Sequence, residues 1–433
     1  MLRAVELFNL VVMLLFFLCY SYQLFYIPVA LLGKPKPHGK ALPKRYAVLI
    51  AARNEQSVIG QLIDSIRAQD YPAELIDIFV VADNCTDATA HIAHSHGATV
   101  YERFDRTHVG KGYALDFLLN CIAGNFGPDA YDGYFVFDAD NVLAPDYIRR
   151  MNQSFSDGYE IVTSYRNSKN YADNWISAGY ALWFMRDSRY LNHARMLLGS
   201  GCVVAGTGFL FSREAIQRCG GWRFFLLTED TEFTIDNMLR GVRIGYCPEA
   251  VLYDEQPTAF RQSWHQRMRW CKGYMQVFRR YGASLLRGIF SRNALSCYDM
   301  TMSIMPAAVL TGLSVAVNLL AAVLNFMAGR DLSSLALSVL HLGWNLYMTL
   351  FFIGALTTVT EWRQIHCPAH KKILYVFTFP IFMFTYVPIC IASLFSHVQW
   401  QPIRHDRSLS LEQIQSGTQQ KLAASCSRSE KTA

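Results

Sequence analysis

Charged residues are missing from four long stretches of this 433-residue sequence. Residues 7–32, 300–329, 332–360 and 373–396 contain no Asp, Glu, Lys or Arg. A helix needs about 20 consecutive apolar residues to cross the hydrocarbon core of a bilayer, and each stretch is long enough. The missing charge therefore excludes an ordinary soluble protein and predicts four transmembrane helices. The first stretch also lacks a clear small-residue cleavage site, so we expect a retained anchor rather than a cleaved signal peptide.

Basic residues are unevenly distributed around these stretches. They cluster at residues 34–45, 279–292 and 363–372, next to the predicted helices. Lys and Arg accumulate on the cytoplasmic side of membrane helices, so we expect these sites and the large domain after the first helix to be cytoplasmic. Four crossings would then place the C-terminal tail outside, although the tail is basic. Either a later segment re-enters the membrane, or the tail is tolerated outside.

Patterns typical of zinc sites and of nucleic-acid binding are also absent. The 11 cysteines form no CxxC pair, and we expect them to be reduced, mostly buried thiols. No basic stripe is interleaved with aromatic residues, and the net charge is only +6. These absences exclude nucleic acid as the expected partner and favour contact with membrane lipids.

The segment between the first two charge-free stretches alternates strand and helix patterns. Apolar runs typical of buried strands occur at residues 46–52, 76–82, 98–101, 133–137 and 246–253. Strands that alternate with helices predict an α/β domain with a Rossmann-like, mostly parallel sheet. We expect six parts: an N-terminal transmembrane helix (1–33), a basic linker (34–45), an α/β domain (46–256), interfacial helices (257–299), three transmembrane helices (300–396) and a polar tail (397–433). From about Ser408 the tail is expected to be poorly ordered.

Carboxylates follow two of the predicted strands. Asp83 ends the run at 76–82, and Asp138 and Asp140 follow the run at 133–137. Open α/β sheets bind ligands at the carboxyl ends of their strands, which puts Asp83 at a nucleotide. Two carboxylates two residues apart can share a divalent cation that also holds a diphosphate, so Asp138 and Asp140 are candidate metal ligands. Helix capping and a solvated turn are the alternatives.

Further charged residues follow the same pattern. Arg53 and Glu55 come directly after the first strand and either contact the nucleotide or form a structural ion pair. Lys111 lies between Gly110 and Gly112, a flexible turn that would suit a phosphate. Each of these signals is weak by itself, because such residues are common in structural roles.

An acidic pair marks the start of a later predicted helix. Glu229 and Asp230 follow an apolar run, where one carboxylate can be held ready to act as a base. Upstream, Thr207 and Gly208 belong to a Gly-Thr-Gly segment whose backbone could approach an acceptor.

A third group lies on residues 262–290, which have the composition of an amphipathic helix at a membrane interface. Gln266, Arg269 and Trp270 share one face of this helix. Arg offers forked donors to phosphate, and Trp offers a stacking surface to a sugar ring. A helix that simply packs on the α/β domain is the alternative.

In this order, Asp83, Asp138-x-Asp140, Thr228-Glu229-Asp230 and Gln266-x-x-Arg269-Trp270 resemble the signature of a known family. The family is the membrane-bound, inverting family-2 glycosyltransferases, which include cellulose, hyaluronan and poly-N-acetylglucosamine synthases. The resemblance covers about residues 46–274 and the later membrane stretches. It implies a GT-A fold, a nucleoside-diphosphate sugar donor, usually a UDP-sugar, and Mg²⁺ or Mn²⁺ as cofactor.

The resemblance also implies roles for single residues. Asp83 would contact the uridine, while Asp138 and Asp140 would serve the diphosphate and the metal. Asp230, beside Glu229, would deprotonate the acceptor hydroxyl. The residues implied to hold the diphosphate and the acceptor end are Gln266, Arg269 and Trp270.

Three functions fit these residues. Processive synthesis of a β-linked polysaccharide in the cell membrane is the favoured hypothesis, although one helix before the domain and three after it are fewer than in the larger synthases. Transfer of a single sugar to a lipid, as by ceramide glucosyltransferases or polyprenyl-type enzymes, suits the small number of helices. A non-catalytic membrane scaffold would be expected to have lost the carboxylates. The sugar, the oligomeric state and an accessory subunit are not fixed by any motif.

Overall fold

The computed structural model describes residues 2–329 and 333–416. Eight strands form one sheet: β1 (Tyr46–Ala52), β2 (Ile76–Asp83), β3 (Thr99–Arg103), β4 (Gly133–Asp138), β5 (Val142–Leu143), β6 (Ile161–Ser168), β7 (Phe209–Ser212) and β8 (Ile244–Asp254). The helices of the same domain are α3 (Ile59–Arg67), α4 (Thr89–Ser95), α5 (Lys111–Phe126), α6 (Tyr147–Ser156), α7 (Trp175–Arg186), α8 (His193–Leu198), α9 (Arg213–Arg218) and α10 (Glu229–Leu239).

The remaining helices flank this domain in sequence. Before it come α1 (Leu2–Tyr20) and α2 (Tyr22–Leu32). After it come α11 (Phe260–Gly288), α12 (Ala294–Ile304), α13 (Pro306–Met327), α14 (Ser333–Thr360), α15 (Ala369–Phe384), α16 (Tyr386–Phe395) and α17 (Leu411–Gln415).

The sheet has the strand order β3-β2-β1-β4-β7-β6-β8-β5. Strands β3, β2, β1 and β4 are parallel, whereas β7 is antiparallel to both of its neighbours and β5 is antiparallel to β8. The predicted α/β fold is confirmed, with a sheet that is mixed. Because β1, β2 and β4 are parallel, their carboxyl ends meet at one edge of the sheet.

Both faces of the central strands are buried. Along β1, Ala47 and Leu49 pack towards Leu115 of α5, whereas Val48 and Ile50 pack towards Leu62 of α3. A strand covered on both faces is apolar at every position rather than at alternate positions. This explains why β1 stands out in the sequence as a continuous apolar run.

Four helical segments of the described residues are long and apolar enough to cross a membrane, by length and composition. They are Val5–Leu32, Val309–Met327, Leu335–Thr360 and Ala369–Phe395. They match the four predicted stretches, apart from Leu332, which lies outside the described residues. The helices contact each other through polar groups as well, since Asn9 of α1 donates to Asn318 of α13 at 3.0 Å.

The last of these segments begins and ends on the side of the molecule where the α/β domain lies. Near the start of α15, Lys371 Nζ donates to the carbonyl of Ala172, just before α7. Further along, the Tyr347 hydroxyl of α14 donates to the carbonyl of Phe377, so α15 runs back along α14. At the end of α16, the carbonyl of Ser393 accepts from Lys272 of α11. Of the two explanations for the basic tail, the structure supports the re-entrant one.

The tail lies against the α/β domain. Leu409, Leu411 and Ile414 pack on Val142 and Tyr253, and α17 carries a capping box at Ser410. The prediction of poor order is therefore wrong for the first part of the polar stretch. Residues 417–433 lie outside the described residues.

Reporter fusions test this path of the chain. Alkaline phosphatase folds only where its disulfides form, outside the cytoplasm. A fusion after Gly329 should be active, whereas fusions after Ser291 and after Ser416 should both be inactive, because both positions lie on the side of the α/β domain. High activity of the Ser416 fusion would contradict the re-entrant path.

Candidate active site

A cavity of about 1140 Å³ opens at the carboxyl edge of the sheet. Asp83, Asp138 and Asp140, at the ends of β2 and β4, line one end of it. Glu229 and Asp230 at the start of α10 line it as well. The carboxylates predicted from separate motifs therefore converge on one space.

The candidate nucleotide end is built on Asp83. Its Oδ1 accepts a hydrogen bond from Arg103 Nη1 at 2.6 Å, and both side chains are buried. Arg103 ends β3 and was not predicted, because nothing near it in the sequence marks it. Asn54, two residues after β1, and Asn84, directly after β2, have φ angles of 58° and 53°. Such left-handed conformations in residues other than glycine are uncommon, and they cluster at functional sites.

Arg53 and Glu55 line the cavity without pairing with each other. The guanidinium of Arg53 lies over the ring of Trp400 at 5.4 Å, and Glu55 contacts His405 Nδ1 at 3.0 Å. The alternative that these two residues form an ion pair is therefore wrong. Burial raises the pKa of Glu55 to about 7. Burial also lowers the pKa of His405, but the charges of Asp140 and Glu55 outweigh it and raise that pKa to about 10.

Lys111 lies in the first turn of α5 rather than on a free turn. Its ammonium group donates to Asp138 Oδ1 and, at 2.7 Å, to the carbonyl of Gly206. Burial raises the pKa of the Asp138 carboxyl, but the adjacent Lys111 charge outweighs it and holds the pKa below its ordinary value. Lys111 thus keeps Asp138 ionised.

The carboxylates of Asp138 and Asp140 fit a hard divalent cation. Asp140 is buried, and its Oδ2 accepts from the backbone N–H of Glu255 at 2.7 Å, which fixes its orientation. Asp138 Oδ2 accepts no hydrogen bond from the described residues and lies beside the cavity. No group of three or more His, Cys, Asp or Glu among the described residues forms a complete metal site. Water and the phosphate oxygens of a ligand would have to supply the other ligands, as is usual for Mg²⁺.

Glu229 and Asp230 form a buried acidic pair. Burial raises the pKa of both carboxyls, and the Asp230 charge raises that of Glu229 further. Arg269 and Lys111 oppose both shifts in part. Gly206 leaves room for the pair, because a Cβ atom there would lie 3.3 Å from Asp230 Oδ2. The arrangement can hold a carboxylate whose proton affinity is higher than usual.

Thr207 and Gly208 do not line the cavity, in contrast to their neighbour Gly206. The Thr207 hydroxyl accepts from the backbone N–H of Asp138 at 2.9 Å and donates to Asn141. A Cβ atom on Gly208 would lie 1.8 Å from the side chain of Leu252. Both residues therefore support the loop after β4 on the side that faces away from the cavity.

Gln266, Arg269 and Trp270 line the cavity from α11. Arg269 Nη1 donates to the carbonyl of Leu227 at 2.9 Å, and Gln266 Oε1 is buried without a partner in the described part of the chain. Arg267, on another face, is fully buried and donates to the Thr385 hydroxyl at 2.6 Å. The helix therefore packs between the α/β domain and the re-entrant segment.

Arg166 and Tyr274 also line the cavity and were not predicted. Arg166 Nε donates to Asp254 Oδ2 at 2.7 Å, and its guanidinium lies 3.7 Å from the ring centre of Phe184. It belongs to β6, whose sequence is too polar to be recognised as a buried strand. Its positive charge favours the ionised forms of both Asp138 and Asp230.

The opposite end of the cavity lies among the candidate membrane helices. Its lining there is mostly apolar and comes from α1, α2, α13, α14 and α15, with Phe16, Leu24, Val315, Leu346, Leu350 and Met383 as examples. It also includes the polar residues Thr311, Ser314, Asn345 and Thr349. The cavity therefore connects the carboxylates at the sheet edge with the apolar interior of the helix bundle, without an intervening wall.

A segment of the tail, residues 400–407, lies across the outer end of the cavity, and we call this segment the strap. Glu255 holds it, since its carboxylate accepts the backbone N–H groups of Asp406 and Arg407 at 3.3 and 2.8 Å. Arg407 also pairs with Asp173 at 3.0 Å. Sequence analysis missed the strap because its partners lie far away along the chain.

Comparison with known proteins identifies the family of the α/β domain. The family model described as "Glycosyltransferase like family 2" matches residues 43–273, more than half of the chain. The beta-monoglucosyldiacylglycerol synthase of Synechocystis sp. is 28% identical over 240 residues, which cover 54% of this chain and 48% of that protein. The poly-beta-1,6-N-acetyl-D-glucosamine synthase of Staphylococcus aureus is 25% identical over 248 residues, 56% of each. The chain spans about half the length of these relatives.

Among solved structures, the mannosyltransferase PcManGT of Pyrobaculum calidifontis, determined with GDP-Man and Mn²⁺, superposes with a TM-score of 0.58. The match covers 90% of this chain and 99% of that chain at 16% identity. At such low identity the likeness shows the fold, which is the predicted GT-A fold.

Limited proteolysis tests how the strap is held. Glu255→Ala removes both acceptors for its backbone, so trypsin should cleave after Arg404 and Arg407 about tenfold faster than in the unmodified protein. Glu249→Ala is the matched control, because Glu249 is an exposed residue of β8, the strand that ends just before Glu255, and has no strap contact. Equal cleavage rates in both variants would contradict the assigned contacts.

Proposed function

Because the chain belongs to glycosyltransferase family 2, we propose that it transfers a single sugar from a UDP-sugar to a hydroxyl group of a membrane lipid. The observation that carries this proposal is the one cavity that joins the carboxylates at the sheet edge to the apolar space between the membrane helices. A lipid can leave its chains in the apolar part while its head reaches Asp230. The reaction takes place in the cell membrane, with the α/β domain on the cytoplasmic side.

The donor occupies the end of the cavity near the sheet. Asp83 accepts hydrogen bonds from the uridine, and Arg53 and Glu55 border the nucleotide. Gln266, Arg269 and the Lys111–Asp138 pair surround the diphosphate. Support comes from the convergence of these side chains on one space and from the nucleoside-diphosphate sugar in PcManGT.

Asp230 is the general base of the proposed reaction. The acceptor oxygen attacks the anomeric carbon opposite the diphosphate, the bond to the diphosphate breaks, and the configuration inverts from α to β. The hydroxyl proton passes to the Asp230 carboxylate, whose pKa is raised by burial and which therefore accepts a proton more readily. The Glu229 and Asp230 carboxylates repel each other when both are ionised. The pair therefore binds a proton more tightly than an isolated carboxylate would.

The positive groups around the diphosphate stabilise the leaving group. Arg269 supplies a fixed guanidinium at the position where charge develops. Asp138 and Asp140 would hold Mg²⁺ or Mn²⁺, which would neutralise diphosphate charge when bound. Trp270 packs edge-on against Tyr180 and Phe184, so its ring is fixed at the acceptor side of the cavity.

Processive polysaccharide synthesis is the second candidate. The poly-beta-1,6-N-acetyl-D-glucosamine synthase among the relatives favours it, as does the ring of Trp270, which can stack on a sugar. The lipid hypothesis takes precedence because the lining at the far end of the cavity is mostly apolar, with only scattered polar side chains, whereas a polysaccharide needs polar partners along its whole path.

Product analysis distinguishes the two candidates. Full-length protein in lipid vesicles would receive labelled UDP-glucose or UDP-N-acetylglucosamine with Mg²⁺ or Mn²⁺. The lipid hypothesis predicts one labelled species that is extracted into organic solvent and that carries one sugar. A ladder or a high-mass, water-soluble polymer would support the polysaccharide hypothesis instead.

Replacement of the base tests the mechanism. Asp230→Asn should lower the rate of transfer by about a hundredfold to ten-thousandfold, the usual contribution of a general base. Binding of the UDP-sugar, measured by calorimetry, should change little. Asp236→Asn on the same helix is the control, because Asp236 pairs with Arg240 outside the cavity. Near-normal transfer by Asp230→Asn would eliminate Asp230 as the base.

Removal of the metal tests the role of Asp138 and Asp140. Chelation with EDTA should weaken binding of the UDP-sugar in the unmodified protein, since the diphosphate charge is then unscreened. Asp140→Ala should bind the donor equally weakly with and without Mn²⁺. Asp146→Ala, which changes an acidic residue at the start of α6, should retain the response to Mn²⁺. A full Mn²⁺ response in Asp140→Ala would contradict the assignment.

A further inference from the structure

Two cysteines from different helices meet at the wall of the cavity. The sulfur atoms of Cys271 in α11 and Cys390 in α16 are 3.1 Å apart, within hydrogen-bond distance of each other. Both residues line the cavity, and so do Tyr274 and Val387, which lie one helical turn from them on the same faces. The two thiols therefore lie where a small molecule in the cavity can reach them.

Contacts on either side of the pair fix the packing of the two helices. Arg267, one turn before Cys271, donates to the Thr385 hydroxyl at 2.6 Å. Lys272, the residue after Cys271, donates to the carbonyl of Ser393 at 3.1 Å. The short distance between the two sulfur atoms is thus set by the packing of α11 on the re-entrant segment.

The surroundings of the pair favour ionisation of one sulfur, and the thiolate is the form of cysteine that reacts. The hydrogen bond to Cys390 and burial raise the pKa of Cys271, so Cys271 keeps its proton and donates it. The hydrogen bond that Cys390 receives stabilises negative charge on its sulfur. The buried guanidinium of Arg267 adds a positive charge on this side, since it lies 4.8 Å from the ring centre of Tyr386, one turn before Cys390.

A disulfide bond between the two residues needs only a small movement. Both are free thiols in this structure. Bonded sulfur atoms are about 2.05 Å apart, so the present distance of 3.1 Å must shorten by about 1 Å. Disulfides inside cells usually serve redox sensing or catalysis rather than stability. The pair thus has the geometry of a redox site.

We propose that Cys271 and Cys390 form a dithiol site that a hydroperoxide oxidises to a disulfide, and that this bond slows the transferase. The first half of the proposal depends only on the two thiols. The second half rests on the proposed sugar transfer and concerns its regulation.

The oxidation takes two balanced steps. The Cys390 thiolate attacks one oxygen of hydrogen peroxide; an S–O bond forms, the O–O bond breaks, and the departing hydroxide takes up the proton that Cys390 released. The Cys271 sulfur then attacks the sulfenic acid; the S–S bond forms, the S–O bond breaks, and the hydroxyl leaves as water with the Cys271 proton. Two electrons from the thiols reduce the peroxide to water. A dithiol such as dithiothreitol reverses the reaction by thiol–disulfide exchange.

The bond acts on the active site through α11. Cys271 directly follows Trp270, and both belong to the part of α11 that borders the cavity. Formation of the bond draws this part of α11 towards α16, while Arg269 Nη1 is held by the carbonyl of Leu227 at 2.9 Å on the side of the α/β domain. Misplacement of an active-site group by about 1 Å can cost about a hundredfold in rate. Oxidation should therefore slow transfer although the carboxylates are untouched.

Peptide mapping tests the bond itself. Full-length protein in phosphatidylcholine vesicles would be treated with hydrogen peroxide, alkylated and digested with trypsin. The proposal predicts residues 270–272 joined to residues 373–404, each with one cysteine, in a product that dithiothreitol separates. Absence of this product at a peroxide concentration that oxidises Cys121, which is partly exposed on α5, would overturn the proposal.

The rate of sugar transfer, measured with labelled UDP-sugars in the same vesicles, tests the consequence. Oxidation of the unmodified protein should lower the rate at least about tenfold, and dithiothreitol should restore it. Cys390→Ser and Cys390→Ala cannot form the bond, so each should keep after peroxide the rate that it had before. Cys121→Ser is the matched control and should be slowed as much as the unmodified protein. Equal slowing of Cys390→Ser by peroxide would overturn the proposed effect of the bond.

The outcomes separate this inference from the function on which its second half rests. If no sugar is transferred before oxidation, the proposed function fails and the claim about its rate fails with it, whereas the joined peptides still decide whether the redox site exists. If the Cys390 variants do not fold, as judged by thermal unfolding, the unmodified protein decides the effect. Its loss of rate must then follow the fraction of joined peptides, and slowing without joined peptides would overturn the proposal.

Discussion

The buried ion pair between Arg195 and Asp299 holds the α/β domain on the membrane helices. Two hydrogen bonds of 2.7 Å join the guanidinium to the carboxylate, and both side chains are almost fully buried. The hydroxyl groups of Tyr22 and Tyr26 donate to the same carboxylate at 2.9 Å. One contact thus ties α8 to α12 and α2. Loss of one partner of such a pair typically costs about 3–5 kcal/mol, because the other charge stays buried.

The cavity depends on that attachment, because its walls come from both sides of the junction. The sheet edge supplies the carboxylates, and the membrane helices supply the apolar lining. Where the two meet, burial raises the pKa of Asp230, and the charges of Arg269 and Lys111 limit the rise. A base of higher proton affinity and an apolar compartment for a lipid are therefore consequences of the same geometry.

Local sequence patterns predicted the parts of this site that depend on neighbouring residues. The apolar run at 46–52 has the bounds of β1, and Asp83 and Asp138 occur at strand ends as expected. Features that depend on distant partners could not be predicted from the sequence. An example is the contact between His405 and Glu55, which are 350 residues apart. The short strand β7 and the π-helical segment Asp187–Asn192 were also not predicted, because tertiary packing rather than a periodic pattern of apolar residues determines them.

Photo-crosslinking tests the central claim that the cavity receives a lipid. A diacylglycerol with a photoreactive group in one acyl chain would be irradiated with the full-length protein in vesicles. The account predicts labelled peptides around Phe16, Tyr190 and Met305, which line the cavity, and loss of this labelling when unlabelled diacylglycerol is in excess. Labelling confined to outward residues such as Phe326 and Phe352, without competition, would contradict it.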